Sequence, residues 1–250
     1  MSEWIEVVRD GAVMTIRMNR PDKKNAITRA MYAAMAAALT ESDADDAIRA
    51  RVILGVPGAF SSGNDLADFM VIATGGEGGM EVYDFLMALA TAKKPIVSAA
   101  DGIAVGIGTT IHLHCDLTFA TERTNFVTPF VNLGLVPEAG SSLIVPEVIG
   151  RQAAFAMLGL GRPIPAKEAK AMGLIHAVVG EDELEAAAMD AAREIASKPP
   201  EALRIARDLM RGDRQPLIDR IQAEGKLFRE RLKSDEARNA FIAFMNKKKG

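Results

Sequence analysis

The chain has few of the residues and patterns that usually announce a mechanism. It carries one cysteine, Cys115, and three histidines in 250 residues. One cysteine excludes an internal disulfide and fits a reducing compartment. Two histidines sit in "HLHCD" (His112–Asp116), but no further His or Cys cluster completes a shell of three or four ligands, so no metal site is expected. No apolar run reaches the ~18 residues of a membrane span. The opening "MSEWIEVVRD" lacks a basic segment followed by an apolar one, so no secretory signal is expected. The ending "NKKKG" is not a peroxisomal address, which leaves the cytoplasm as the expected location. A net charge of −3 provides no global field for nucleic acid or an anionic membrane, and neither is expected as a partner. "GIGTTI" (Gly106–Ile111) lacks the third glycine of a dinucleotide fingerprint, and no phosphate-binding G-x-x-x-x-G-K-[ST] is present. Ser61, Ser62, Ser141 and Ser142 all lie outside a G-x-S-x-G elbow and read as turn or capping residues. There is no low-complexity segment and no fixed-period repeat.

What is present is an ordinary globular composition, 49% hydrophobic and 25% charged. Trp4–Val8 and Val13–Met18 read as strands around the Asp10-Gly11 turn. "NRPDKKNAIT" (Asn19–Thr28) is a basic loop, and Thr28 can cap a helix running through Leu39. Buried strands are expected at Arg51–Val56, Pro95–Ala100, Leu117–Ala120 and Ile175–Val179. Pro57–Asp65 reads as a loop. Helices are expected at Glu81–Ala92, Val105–His114, Ser142–Val148, Arg151–Leu158 and Ala166–Met172. The glycine-rich stretch Gly75–Gly79 is expected to be mobile. From Glu181 onward the chain reads as helical, with breaks at Pro199-Pro200 and near Pro216. This order predicts an α/β core over residues 1–196 and a C-terminal helical region over 197–250.

Three stretches offer chemistry. "AFSSGNDL" (Ala59–Leu66) follows a buried strand, and its small residues would let a ligand reach the backbone. Its amides suit a developing oxyanion, although a tight loop with Asp65 capping the next helix explains the same letters. "GIAVGIGTTI" (Gly102–Ile111) enters a helix, whose first amides lack intrahelical partners. It equally fits a glycine turn for close packing. In "NLGLVPEAGSSLIV" (Asn132–Val145) the only ionisable group is Glu138. It reads either as the acidic residue of a helix start or, with no cation nearby in sequence, as a carboxyl with a raised pKa, which a base for a weak carbon acid needs.

Together these phrases resemble the enoyl-CoA hydratase/isomerase, or crotonase, family. The resemblance covers nearly the whole chain, through "IRMNRPDKKNAIT", "AFSSGNDL", "ADGIAVGIGTTIHLHCDLTFAT", "FVTPFVNLGLVPEAGSS" and "GRPIPAKEAKAMGLIHAVV" in the family's order. It implies a spiral of β-β-α turns and a C-terminal helical region used in assembly as a homotrimer or dimer of trimers. It also implies an acyl-CoA thioester substrate whose enolate is held by two backbone amides, here those of Ser61 and Ile107. Ile107 stands where relatives often have glycine, so its side chain must point away from the thioester oxygen. The two hydratase glutamates fall on Thr110 and Phe130, and neither residue can act as a carboxylate base.

"TPFVNLGLVPEAGSS" instead resembles the peroxisomal-type Δ3,Δ2-enoyl-CoA isomerase branch, in which the base matches Glu138. Ala139 follows it where that branch commonly has glycine. The resemblance implies substrate contacts at Lys24, Ala26, Ala59, Ser62, Gly63, Asn64, Asp65, Leu66, Gly106 and Phe130. It implies no metal or redox cofactor, since CoA arrives with the substrate. Arg20, Lys23, Lys24 and Lys247–Lys249 are the local cations for CoA phosphates, and Phe69, Met70, Phe85 and Phe130 the apolar candidates for the acyl tail. Another reaction of the family, such as hydration, thioester hydrolysis or decarboxylation, is the nearest alternative. A non-catalytic acyl-CoA binder or a bare structural oligomer are others.

Overall fold

The structure is a computed structural model and describes residues 2–73 and 79–247. The strands are β1 (Ile5–Asp10), β2 (Val13–Met18), β3 (Ala50–Leu54), β4 (Ala59–Ser61), β5 (Ile96–Ala100), β6 (Ile103–Val105), β7 (Leu117–Thr121), β8 (Asn125–Val127), β9 (Ile164–Pro165) and β10 (Ala177–Val179). They form a six-stranded sheet ordered β1-β2-β3-β5-β7-β10 and a four-stranded sheet ordered β4-β6-β8-β9. β1 and β2 pair within the large sheet, and from β3 to β8 each turn of the chain puts one strand in the large sheet and the next in the small one, then crosses back through helix. β3 and β4 lead to α2 (Leu66–Ala73) and α3 (Met80–Ala90), β5 and β6 to α4 (Ile107–Thr110), and β7 and β8 to α5 (Ser141–Ile149) and α6 (Arg151–Ala154). The neighbours β3, β5 and β7 are therefore parallel.

Parallel strands buried on both faces need apolar residues at successive positions. "ARVIL" in β3 and "IVSAA" in β5 are buried throughout. Alternation then sorts their side chains. Ile53, Ile96 and Ala100 join the main core with Met31, Met35 and Leu39 of α1 (Arg29–Ala44). Val52, Leu54, Val97 and Ala99 face Ala188, Met189 and Ala192 of α8 (Leu184–Ser197), which follows α7 (Ala166–Ala171). Thr28 caps α1 by accepting from Met31 N at 3.3 Å. The helix runs past Leu39 to Ala44 because "LTESDA" contains no breaker.

The last helices are α9 (Pro200–Arg211), α10 (Gln215–Leu232) and α11 (Asp235–Lys247). They fold back over the loop that carries Glu138. Arg207 of α9 is buried on Asp116 at 2.8 Å. A Cβ on Gly140 would strike Leu217 of α10, and one on Gly134 would strike Ala237 of α11. Among the described residues no helix is long and apolar enough to cross a membrane.

Two expectations are corrected. Val105–His114 is not one helix. Ile103–Val105 is strand, Gly106 turns at φ 58°, and a single α turn passes into a 3₁₀ turn at Ile111–His114. The Pro57–Asp65 segment is not all loop, because Ala59–Ser61 is β4 and pairs with β6. The small sheet is hard to read in sequence, since its strands are two or three residues long and show no period. The glycine-rich stretch falls mostly on residues 74–78, outside the described residues.

Gly102 brings the small sheet together. It has φ +70°, and a Cβ there would lie 2.0 Å from the Gly58 carbonyl oxygen, just ahead of β4. We expect Gly102→Ala to destabilise the fold by about 3 kcal/mol or more. Gly11→Ala, at φ +59° with open space around it, is expected to cost only about 1 kcal/mol. Urea midpoints with unchanged slope measure both.

Candidate active site

Two loops far apart in sequence are joined by hydrogen bonds. Ser62 N donates to Lys24 O at 2.9 Å, Ile27 N to Gly63 O at 2.8 Å, and Asp65 N to Ile27 O at 2.9 Å. Asn25 is the buried centre. Its side-chain amide donates to Ala59 O and Phe60 O, and its own carbonyl accepts from the Ser61 hydroxyl at 2.8 Å. Lys24 and Asn25 both take positive φ, at 50° and 53°, a region that asparagine tolerates better than most residues. Arg20 closes the edge, with Asp65 Oδ2 at 2.6 Å, Ala26 O at 2.9 Å and the Trp4 ring at 4.6 Å. This sequence candidate for a CoA phosphate is thus committed inward, while Lys23 and Lys24 are exposed.

The Gly106 turn packs directly against this pair of loops. Gly63 leaves no room for a Cβ beside Val105 O, and a Cβ on Gly108 would lie 2.8 Å from Ser61 O. Ser61 and the first turn of α4 meet only because Gly108 has no side chain. Ile107 is the first residue of that turn, so its N–H has no intrahelical acceptor. The Ile107 side chain is buried in the main core. The structure thus gathers Lys24, Ala26, Ala59, Ser61, Ser62, Gly63, Asn64, Asp65, Leu66, Gly106 and Ile107 into one neighbourhood.

Glu138 reaches the same neighbourhood from the other side. It is 8% exposed, and its Oε1 accepts from the Thr110 hydroxyl at 2.6 Å. Thr110 ends the helix that Ile107 begins. No salt bridge reaches Glu138 among the described residues. Burial pushes its carboxyl up to about 8, the Thr110 bond pulls it down in part, and the charge of Glu224 adds to the rise. Its backbone is held closely. Ser141 N donates to Glu138 O at 3.1 Å, and the next residue, Ala139, sits at φ 60° with its carbonyl accepting from His114 Nε2 at 2.8 Å. Phe130 lies in the core, and its carbonyl accepts from Leu133 N and Leu135 N, turning the chain toward Glu138.

His112 and His114 are buried and structural. His114 is neutral, lowered to about 4 by burial, and its Nε2 must carry the proton because a carbonyl only accepts. His112 is lowered to about 3 by burial, bonded to Ser98 Oγ at 2.8 Å and packed against Phe60 and Phe126. Burial pushes the Cys115 thiol up to about 12, so it is not a nucleophile at neutral pH. Among the described residues no cluster of three His, Cys, Asp or Glu is arranged for a metal. Of the apolar candidates, Phe85 is packed in the core and Met70 is half-buried. The Phe69 and Lys247 side chains and residues 248–250 lie outside the described residues.

Sequence reasoning missed the roles of Asn25, Thr110, Tyr32 and Glu224. Tyr32 donates to Asn64 Oδ1 at 2.6 Å. Asn25 carried a faint signal, as a turn-tolerant amide in "KKNAIT". Glu224 carried none, since it meets Gly140 across 84 residues.

Two stacked sheets wound by β-β-α turns, with helices folded back over a buried carboxyl, define a crotonase-type spiral. The family described as enoyl-CoA hydratase/isomerase matches residues 9–250, and the chain belongs to it. The rat protein named enoyl-CoA delta isomerase 2 is 35% identical over 99% of this chain. The chain spans only 64% of that relative's length. The 1,2-epoxyphenylacetyl-CoA isomerase of Escherichia coli K12 is 31% identical over 99% of this chain and 97% of its own. The solved structure of Pseudomonas aeruginosa OdaA is 42% identical, with a TM-score of 0.93 over 98% of this chain and 99% of that one.

A buried carboxyl raised from 4.5 to about 8 opposes folding over a defined pH range. Below pH 4.5 the folded and unfolded chains are both protonated. Between 4.5 and about 8 only the unfolded chain ionises, so stability falls as pH rises. Glu138→Gln removes that loss. We expect it to match the wild type near pH 4.5 and exceed it at pH 8, by on the order of a few kcal/mol. Thermal or urea unfolding at the two pH values measures it.

Proposed function

We propose that the chain is an acyl-CoA isomerase that moves the double bond of a 3-enoyl-CoA to the 2-trans position. One observation carries this reading. Glu138 is a buried carboxyl with no salt bridge among the described residues, bonded to Thr110, which stands where the resemblance places a hydratase glutamate. Phe130 stands at the other such position. A site with one acid–base group suits a reaction in which a single group takes a proton and returns it elsewhere on the same face.

In this reading the acyl thioester lies between the Ser61–Ile107 pair and Glu138. The Glu138 carboxylate removes a proton from C2 as the π electrons spread over C2–C4 and the thioester carbonyl. The Ser61 and Ile107 amides stabilise the charge on the thioester oxygen, and losing one such donor typically costs about 3–4 kcal/mol of barrier. The protonated carboxyl then donates to C4, leaving C2–C3 doubly bonded. No electron is gained or lost, so nothing beyond the CoA thioester is required. A base poised near neutrality is matched to both transfers.

The substrate contacts proposed are Lys24, Ala26, Ala59, Ser62, Gly63, Asn64, Asp65, Leu66, Gly106 and Phe130, with Lys23 and Lys24 the exposed cations for the CoA phosphates. Assembly as a homotrimer or dimer of trimers belongs to the same reading. It is supported by the open apolar side chains of Leu209 and Met210 on α9 and of Phe155.

We expect Glu138→Ala to lower the rate of conjugated 2-enoyl-CoA formation about a thousandfold or more while acyl-CoA still binds. Turnover of 3-enoyl-CoA and 2-enoyl-CoA side by side, followed by thioester absorbance, tests both points. Unchanged isomerisation in the variant, or hydration as the main reaction of the wild type, would contradict the assignment.

A further inference from the structure

The Glu138 loop is held by a second buried carboxylate on a distant element. Glu224 of α10 is 5% exposed, and no salt bridge reaches it among the described residues. Both of its oxygens are occupied. Oε2 accepts from Gly140 N at 2.6 Å and Oε1 from Ser142 N at 3.0 Å. These N–H groups belong to the start of α5, where Gly140 is the N-cap and has no side chain to cap with. The first amides of a helix need acceptors and favour a negative charge. A carboxylate arriving from 84 residues away provides both. Glu138 is two residues before Gly140, and the strained Ala139 between them leaves little freedom.

We propose that Glu224 is the positioning residue of this site: by accepting from Gly140 and Ser142 it fixes the backbone that presents Glu138. The inference rests on the reading of Glu138 as the base. Glu224 is not itself an acid–base group, since its oxygens are engaged by amides. Its charge also acts on Glu138, because two buried carboxylates near one another resist ionising together. The charge of Glu224 adds to the rise that burial causes, so Glu138 holds its proton to higher pH.

The other titratable or charged groups around the pair come from four elements. Tyr32 of α1 is buried, and the charge of Glu138 raises it further. His114, in the 3₁₀ turn after α4, is neutral and bonded to Ala139 O. Arg220 of α10 is bonded to Ser142 Oγ at 3.0 Å. Tyr83 of α3 accepts from Gln222 of α10.

The test uses the full chain and three variants. Glu224→Asp keeps the charge but shortens the reach. Glu224→Gln keeps the shape but removes the charge and one acceptor. Glu224→Ala removes everything. Protonation of Glu138 is followed by its infrared carboxyl band, assigned by its loss in Glu138→Gln, and needs no turnover. We expect the band to titrate at lower pH in Glu224→Gln than in the wild type and to move less in Glu224→Asp. With 3-enoyl-CoA, we expect kcat to fall by about a hundredfold in Glu224→Ala and in the same direction in Glu224→Asp, with KM within a few-fold. If Glu224→Ala does not fold, the other two variants carry the test.

A Glu138 band that titrates identically in the wild type and Glu224→Gln, with kcat retained in Glu224→Asp, overturns the proposal. A wild type that does not isomerise 3-enoyl-CoA, but whose Glu138 band still moves in Glu224→Gln, overturns the functional reading and supports the clamp.

Discussion

The Glu138 carboxyl is buried with one hydroxyl donor and, among the described residues, no salt-bridged cation, and the rest of the site is arranged around that condition. Carboxylates removed from water normally pair with a cation or take up a proton. Here the Thr110 hydroxyl offers one hydrogen bond, enough to orient the group but too little to offset burial. The result is a carboxyl that changes charge near neutral pH at a fixed place. A salt bridge would have made it permanently ionic and a weaker base. Full exposure would have returned it to the ordinary carboxylate range.

Holding such a group still takes backbone constraints from three directions. α4 contributes Thr110 and, one turn earlier, the Ile107 amide, so the hydroxyl that holds Glu138 and one candidate oxyanion donor share a single turn. The 3₁₀ turn after it contributes His114, kept neutral by burial so that it can donate to Ala139 O. The C-terminal helices contribute Glu224, along with the close packing of α10 and α11 on Gly140 and Gly134. Ser61 meets α4 through the missing side chain of Gly108, and the Ser61 strand is stitched to the Lys24–Ile27 loop by Asn25. Energy spent on strain at Ala139 and on burying two carboxylates is offset by the apolar core around them, in keeping with functional sites that locally oppose stability.

Much of this could be read in the sequence, for identifiable reasons. β3 and β5 are unbroken apolar runs, and Thr28 followed by Met31, Met35 and Leu39 marks α1 plainly. Glu138 stood out because every neighbour from Asn132 to Val145 is uncharged. The small sheet escaped because two- or three-residue strands carry no periodicity, and the Val105–His114 segment looked helical although Gly106 breaks it. Thr110 was seen only as an absent carboxylate, since its bond to Glu138 spans 28 residues. Arg20 looked like a free cation because its partner Asp65 lies 45 residues on. Local pattern thus revealed the elements and the odd residue, while pairings between distant loops required the fold.

We propose Glu138, buried and without a salt bridge among the described residues, as the base of this site. The pH dependence of kcat/KM for a 3-enoyl-CoA reports the essential base of the free enzyme. We expect a rate that rises with pH through a midpoint near 8, following the Glu138 carboxyl. A rate already at its plateau by pH 6, as an ordinary exposed carboxylate would give, would contradict it.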